Sequence, residues 1–233
     1  MSLPLLKTPK HELTLPSTGE KLQYRPFLVG EEKGLLLALE SGEDKQISES
    51  VMQTVRQCTF GKLDVTKAPM FDIEYVFLKI RMKAAGSKIE IKLLCPDDKE
   101  TYADAEIDLE EVEVFFPEGH ENNIKLTDEV GLVLDYPTIE MTGDLLGVGA
   151  DTAWTIIKRC IRQIYDAENV HNRADMDEKE LEEFVSTLDA QMFAKIENFF
   201  NTVPRLKHTV KVTNPVTKVE SDVVVEGLQS FFG

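Results

Sequence analysis

The stretch Phe71-Asp72-Ile73-Glu74-Tyr75-Val76-Phe77-Leu78-Lys79-Ile80, followed beyond Gly86 by Lys88-Ile89-Glu90-Ile91-Lys92-Leu93, contains the change of period that decides the fold. Its first part is apolar over more than one helical face, the pattern of a helix at the centre of a core. Pro69 suits the first turn of that helix and Gly86 stops it. In its second part apolar and charged residues alternate with period 2, so one face of a strand is buried and the other wetted. A buried helix that gives way directly to alternating strands predicts an α+β chain.

Toward the C-terminus, Pro96-Asp97-Asp98 turns the chain and the alternation resumes from Tyr102 to Leu109. Glu111 to Phe115 and Ile124-Lys125-Leu126 add shorter extended pieces, so residues 88–126 read as an antiparallel meander. Toward the N-terminus, Leu13, Leu15, Leu22 and Tyr24 alternate with polar neighbours on either side of Pro16-Ser17-Thr18-Gly19, which predicts a hairpin. Two helices are expected next. The first runs from Glu31 to Glu40 with the stripe Leu35, Leu36, Leu39. The second is capped by Asp44, carries Ile47, Val51 and Val55, and ends at Gly61.

From about residue 128 the period returns to that of a helix. Pro137 to Leu146 is one candidate, and Asp151 caps another whose face is Trp154, Ile157, Ile161 and Ile164. Asp166 to Glu180 is acidic and aperiodic and reads as a mobile loop. Leu181 to Leu188 and Phe193 to Phe200 mark two more helices, the last ended by Pro204. Val210 and Val212, a turn at Asn214-Pro215-Val216-Thr217, and Val219 to Val225 form a second hairpin. The expected fold class is α+β: an N-terminal hairpin plus helices, an antiparallel β meander, and a helical C-terminal half ending in a second hairpin. The expected boundary separates residues 1–127 from 128–233, with one continuous domain as the alternative.

The chain has 233 residues, 42% of them hydrophobic, enough to bury a sizeable core. Asp and Glu number 42 against 26 Lys and Arg, a formal net charge of −16. A surface that acidic repels phosphate backbones and anionic membranes and favours basic protein partners. No apolar run approaches the ~18 residues of a membrane span. Met1 to Lys7 is too short and too soon polar for a signal peptide. Cys58, Cys95 and Cys160 are odd in number and far apart, which argues against a disulfide framework and for a reducing cytoplasm.

Chemistry-bearing motifs are scarce. His11, His120, His171 and His208 are scattered, with no HExxH and no CxxC, so no metal site is expected. Asp104 to Glu110 resembles a calcium loop but lacks the glycine at the sixth position, and the wet face of a strand accounts for it. Gly147-Val148-Gly149-Ala150-Asp151 precedes a helix, yet Asp151 would repel an anion, so a hinge is expected there. GxSxG is absent, and neither catalytic nor cofactor-binding residues are assigned. Surfaces remain. Phe231 and Phe232 at the chain end either fold onto their own core or anchor a partner, and Leu228 and Leu36 are the other candidate protein-binding residues.

Several strings in fixed order carry a resemblance. They are Leu15-Pro16-Ser17-Thr18-Gly19, Tyr24-Arg25-Pro26-Phe27-Leu28-Val29, Leu35-Leu36-Leu37-Ala38-Leu39-Glu40 and Phe71-Asp72-Ile73-Glu74-Tyr75. Phe77-Leu78-Lys79-Ile80-Arg81, Pro204-Arg205-Leu206-Lys207-His208-Thr209 and Glu226-Gly227-Leu228-Gln229-Ser230-Phe231-Phe232 complete the set. Together they resemble the baseplate hub assembly proteins of contractile-tailed bacteriophages of the T-even type. The resemblance implies a non-enzymatic protein that helps to form the central hub of the tail baseplate, without cofactor. Its implied partners are hub proteins and the tail tape-measure protein, with neither nucleic acid nor membrane among them. Three roles stand side by side: an assembly chaperone in the host cytoplasm, a structural hub subunit retained in the virion baseplate, and a phage-encoded cytoplasmic enzyme or regulator. Oligomeric state is left open.

Overall fold

A computed structural model describes residues 7–143 and 150–231. Within them the chain forms β1 (His11–Thr14), β2 (Lys21–Tyr24), α1 (Val29–Ser41), α2 (Asp44–Cys58), α3 (Met70–Ala85), β3 (Lys88–Leu94), β4 (Tyr102–Asp108) and β5 (Glu113–Phe115). There follow β6 (Asn123–Lys125), β7 (Gly131–Leu134), α4 (Ile139–Gly143), α5 (Ala150–Cys160), β8 (Ile161–Tyr165) and β9 (Val170–Asn172). α6 (Glu178–Ser186), α7 (Ala190–Asn201), β10 (Arg205–Thr213), β11 (Glu220–Glu226) and a 3₁₀ turn at Leu228–Phe231 complete the chain. The architecture is α+β with antiparallel sheets and a hairpin toward each end.

Two compact units emerge. One takes the chain up to Phe115 together with Arg205 onward, and the other is Phe116–Pro204. The line drawn in the sequence at 127–128 falls inside the second unit, between the paired strands β6 and β7. The C-terminal hairpin belongs to the first unit because β10 pairs with β5, Leu206 opposite Val114. A partner that distant in sequence leaves no local signal.

In the first unit, α3 is buried as its sequence predicts. Phe71, Ile73, Val76, Phe77, Leu78 and Ile80 all lie in the core, and Pro69 stands just before the first turn. Two carboxylates on α3 are buried too. Asp72 accepts the Ser17 N–H at 3.0 Å and the Ser17 hydroxyl, which pins the β1–β2 turn to the start of α3. A carboxylate in a helix's first turn also meets its positive end. Burial pushes the Asp72 carboxyl up, while the Ser17 bonds oppose the shift. Glu74 accepts the Leu228 N–H at 3.1 Å, tying the final turn to α3.

The meander expected over residues 88–126 divides. β3 and β4 pair along their whole length, from Lys88 opposite Asp108 to Leu94 opposite Tyr102. β5 then joins β10, and β6 opens the sheet of the second unit. The Pro96-Asp97-Asp98 turn meets the second hairpin through Asn214, whose Nδ2 donates to Asp97 and Asp98 at 2.9–3.1 Å. The buried core of this unit runs from Leu78, Ile89 and Ile107 to Leu206, Val225 and Phe231.

The second unit is less helical than expected. Its sheet has the order β6-β7-β8-β9, and α5, α6 and α7 contribute Ile157, Leu181, Val185, Ile196 and Phe199 to its core. The helix expected to include Ile161 and Ile164 stops at Cys160, and Ile161–Tyr165 is a strand. Spacing of three suits either a helix or a strand that bends, and the β-bulge between Val133 and Leu134 supplies that irregularity. β7, a fully buried run without alternation, carries no periodicity to read. Gly131 stands opposite Tyr165 in the ladder, and a Cβ there would lie 2.2 Å from the Tyr165 hydroxyl, so a larger residue would displace the Tyr165 ring. The acidic stretch expected as a loop contains β9, a 3₁₀ turn at Arg173–Asp175 and the start of α6. Asp177 caps α6 by accepting the Lys179 N–H, and Glu180 reaches back to the Asp177 N–H. The Gly147–Gly149 hinge lies outside the described residues.

Candidate protein-docking surface

An ion pair ties the first turn of α1 to the end of β2. Arg25 directly follows β2, and its guanidinium grips Glu31 through two bonds, Nη2–Oε1 at 2.6 Å and Nη1–Oε2 at 2.8 Å. Both side chains are mostly shielded from water, 15% and 14% exposed, where a bidentate pair holds geometry well. The same Glu31 carboxylate accepts the Leu28 N–H at 2.7 Å and so caps the helix start. The Arg25 guanidinium holds the Glu31 carboxyl below its ordinary range. At the other end Gly42 takes the left-handed conformation, φ +66°, and its N–H closes on Leu39 O.

Leu35 and Ala38 point inward and are buried. Val29, Leu36 and Leu37 are left outside, 81%, 54% and 56% exposed, flanked by the exposed Leu28 and Leu39. Val29 and Leu36 are seven residues apart and therefore lie along one line of the helix. Glu32 and Lys33 lie between Val29 and Leu36 on the outer side of the helix and Glu40 lies a turn beyond Leu36, all exposed. Exposed apolar side chains interleaved with charged ones on the outer side of one helix make a candidate protein-docking surface.

Burial separates the four candidate residues found by sequence. Leu36 is on this surface. Phe231, 1% exposed, and Leu228 are core residues of the first unit, so the anchor reading of these two gives way to the alternative of a tail folded onto its own core. Phe232 lies outside the described residues. The stripe Leu35, Leu36, Leu39 expected to face inward is also corrected, since only Leu35 of the three is buried. Leu28 and Val29 were missed, since they precede the apolar run Leu35 to Leu39, which is too long for one face of a helix to bury and is the signal for Leu36 and Leu37.

Nucleophile chemistry finds little support. Cys58 sits beside the ion pair, 3.6 Å from Arg25 Nη1, and burial followed by the Glu31 charge pushes its thiol up to about 12. Burial, reinforced by the Asp135 charge, likewise pushes the Cys160 thiol up to about 12. A reactive cysteine needs the opposite shift. Among the described residues no group of three or more His, Cys, Asp or Glu side chains is placed to hold a metal ion. No helix among them is long and apolar enough to cross a membrane.

In comparisons with known proteins, the family model described as T4 bacteriophage base plate protein matches residues 8–233. No curated protein and no solved structure gives a match.

Proposed function

The chain belongs to the family of T4 bacteriophage base plate proteins, and from that membership we propose that it is a non-enzymatic assembly factor for the central hub of the tail baseplate. In this reading it acts in the host cytoplasm and holds hub subunits or the tape-measure protein until they enter the growing tail. The exposed apolar face of α1 carries the reading. Such a face is costly to leave in water and is satisfied by an apolar surface of a partner. The net charge of −16 keeps the unbound protein soluble and steers it toward basic patches.

Mass spectrometry of a tagged copy, in infected cells and in purified phage particles side by side, tests the role. The expected result is co-purification with hub or tape-measure proteins from cells and absence from particles. A fixed small copy number in particles would make the protein a retained hub subunit and overturn the chaperone role. Finding no tail protein in either sample would overturn a hub function altogether and reopen the enzyme or regulator reading.

A further inference from the structure

The second unit holds a cavity of about 420 Å³ that its own core does not fill. Its apolar wall comes from Val130, Ile164, Met176 and Phe184, all half-buried, and its rim carries Asp166, Asp175 and Glu180, all exposed. The elements that frame it fix its shape: β8 supplies Ile164, the turn after the 3₁₀ segment supplies Met176, and the capping box of α6 sets Glu180. Asp166 is held in place by the Glu168 and Asn169 N–H groups, each at 2.8 Å. Residues 166–183 contain eight Asp and Glu against two Lys and Arg. A negative field therefore surrounds an open apolar hollow large enough for one or two big side chains.

We propose that this cavity docks a basic amphipathic segment of a partner protein, with an apolar side chain seated against Met176 and Phe184 and flanking Lys or Arg residues paired with Asp175 and Glu180. Charge complementarity selects this occupant. An acidic segment would meet Asp166, Asp175 and Glu180 as like charges, and a purely apolar one would bring no cation to their charge. Methionine suits the role, because its flexible thioether adapts to different apolar side chains. The site goes beyond the assembly role: it lies on other elements than α1 and does not depend on the family's function.

Fluorescence anisotropy on the full chain tests it with three labelled helical peptides: one of Lys and Leu with a single apolar face, one in which Ser replaces Leu, and one in which Glu replaces Lys. The Lys/Leu peptide is expected to bind, and the other two to bind at least about tenfold more weakly. Asp175→Asn combined with Glu180→Gln keeps the side-chain shapes and is expected to weaken Lys/Leu binding about tenfold. The control pair Asp104→Asn and Glu106→Gln removes two charges from the outer face of β4 and is expected to leave binding unchanged. Equal weakening by both pairs, or equal binding of the Lys/Ser peptide, would reduce the interaction to diffuse charge attraction and overturn the proposal. No binding of the Lys/Leu peptide would overturn it as well.

Discussion

Replacing Phe231 by alanine is expected to cost about 3–5 kcal/mol and to lower the melting temperature by roughly 10 °C. The side chain is 1% exposed and belongs to the core cluster that includes Leu78, Ile107, Val112, Leu206 and Val225. Truncation loses the transfer free energy of the ring and leaves a cavity, and the surroundings can collapse only partly. The final turn is held from both sides, by the Gly227 N–H on Leu206 O at 3.0 Å and the Leu228 N–H on Glu74 at 3.1 Å. Thermal unfolding of wild type and variant reads the effect directly. A loss below about 1 kcal/mol, the range of surface substitutions, would remove Phe231 from the core and restore its reading as an anchor.

Glu74 gives the second large effect, with a definite pH dependence. Its carboxyl is buried on α3, and burial pushes it up to about 7, against smaller opposing contributions from the Leu228 N–H and the Arg205 charge. In the unfolded chain the same group ionises near 4.5. Between these values the folded state holds the extra proton, so stability falls as pH rises through the window and levels off above about 7. At about 1.4 kcal/mol per pH unit the loss is about 3 kcal/mol. His120 works in the other direction. It stacks on Phe199 at 5.1 Å, burial lowers its pKa, and it destabilises the fold as pH falls below its ordinary range. Comparison with Glu74→Gln removes that background. The glutamine can still accept the Leu228 N–H but does not titrate. Denaturant titrations are expected to show the variant more stable than wild type by less than about 1 kcal/mol at pH 5 and by about 3 kcal/mol at pH 8.5. Parallel stability profiles from pH 5 to 8.5 would show that Glu74 does not titrate there.

Much of this fold is legible because local pattern and tertiary demand coincide. The apolar faces of α3, the alternation of β3 and β4, and both hairpins announce themselves within a few residues. What was not legible depends on distant partners. β5 finds β10 some ninety positions away, which joins the chain's end to its beginning. Ile161 and Ile164 fit a helical stripe until β7 recruits them as a strand. The docking surface was half legible. Leu36 stood out by composition, but which leucines face outward follows from the burial of Leu35 and Ala38, which an unbroken apolar run from Leu35 to Leu39 does not resolve. At the C-terminus nothing local in the sequence marks the burial of Phe231. The sheet of β10 and β11, together with Glu74 on α3, brings Phe231 to the core.

In the proposed role the outer face of α1 meets the partner. Leu36→Lys combined with Leu37→Lys tests this, because lysine keeps helix propensity and suits the C-terminal half of a helix. Both positions are exposed, so the melting temperature is expected to stay within the range of surface substitutions. Tagged wild-type and variant proteins would be recovered from infected cells and their hub and tape-measure partners quantified by mass spectrometry. The account predicts that wild type brings these partners down and that the equally stable variant loses them at least about tenfold. Recovery of the same partners in the same yield by the variant would contradict it.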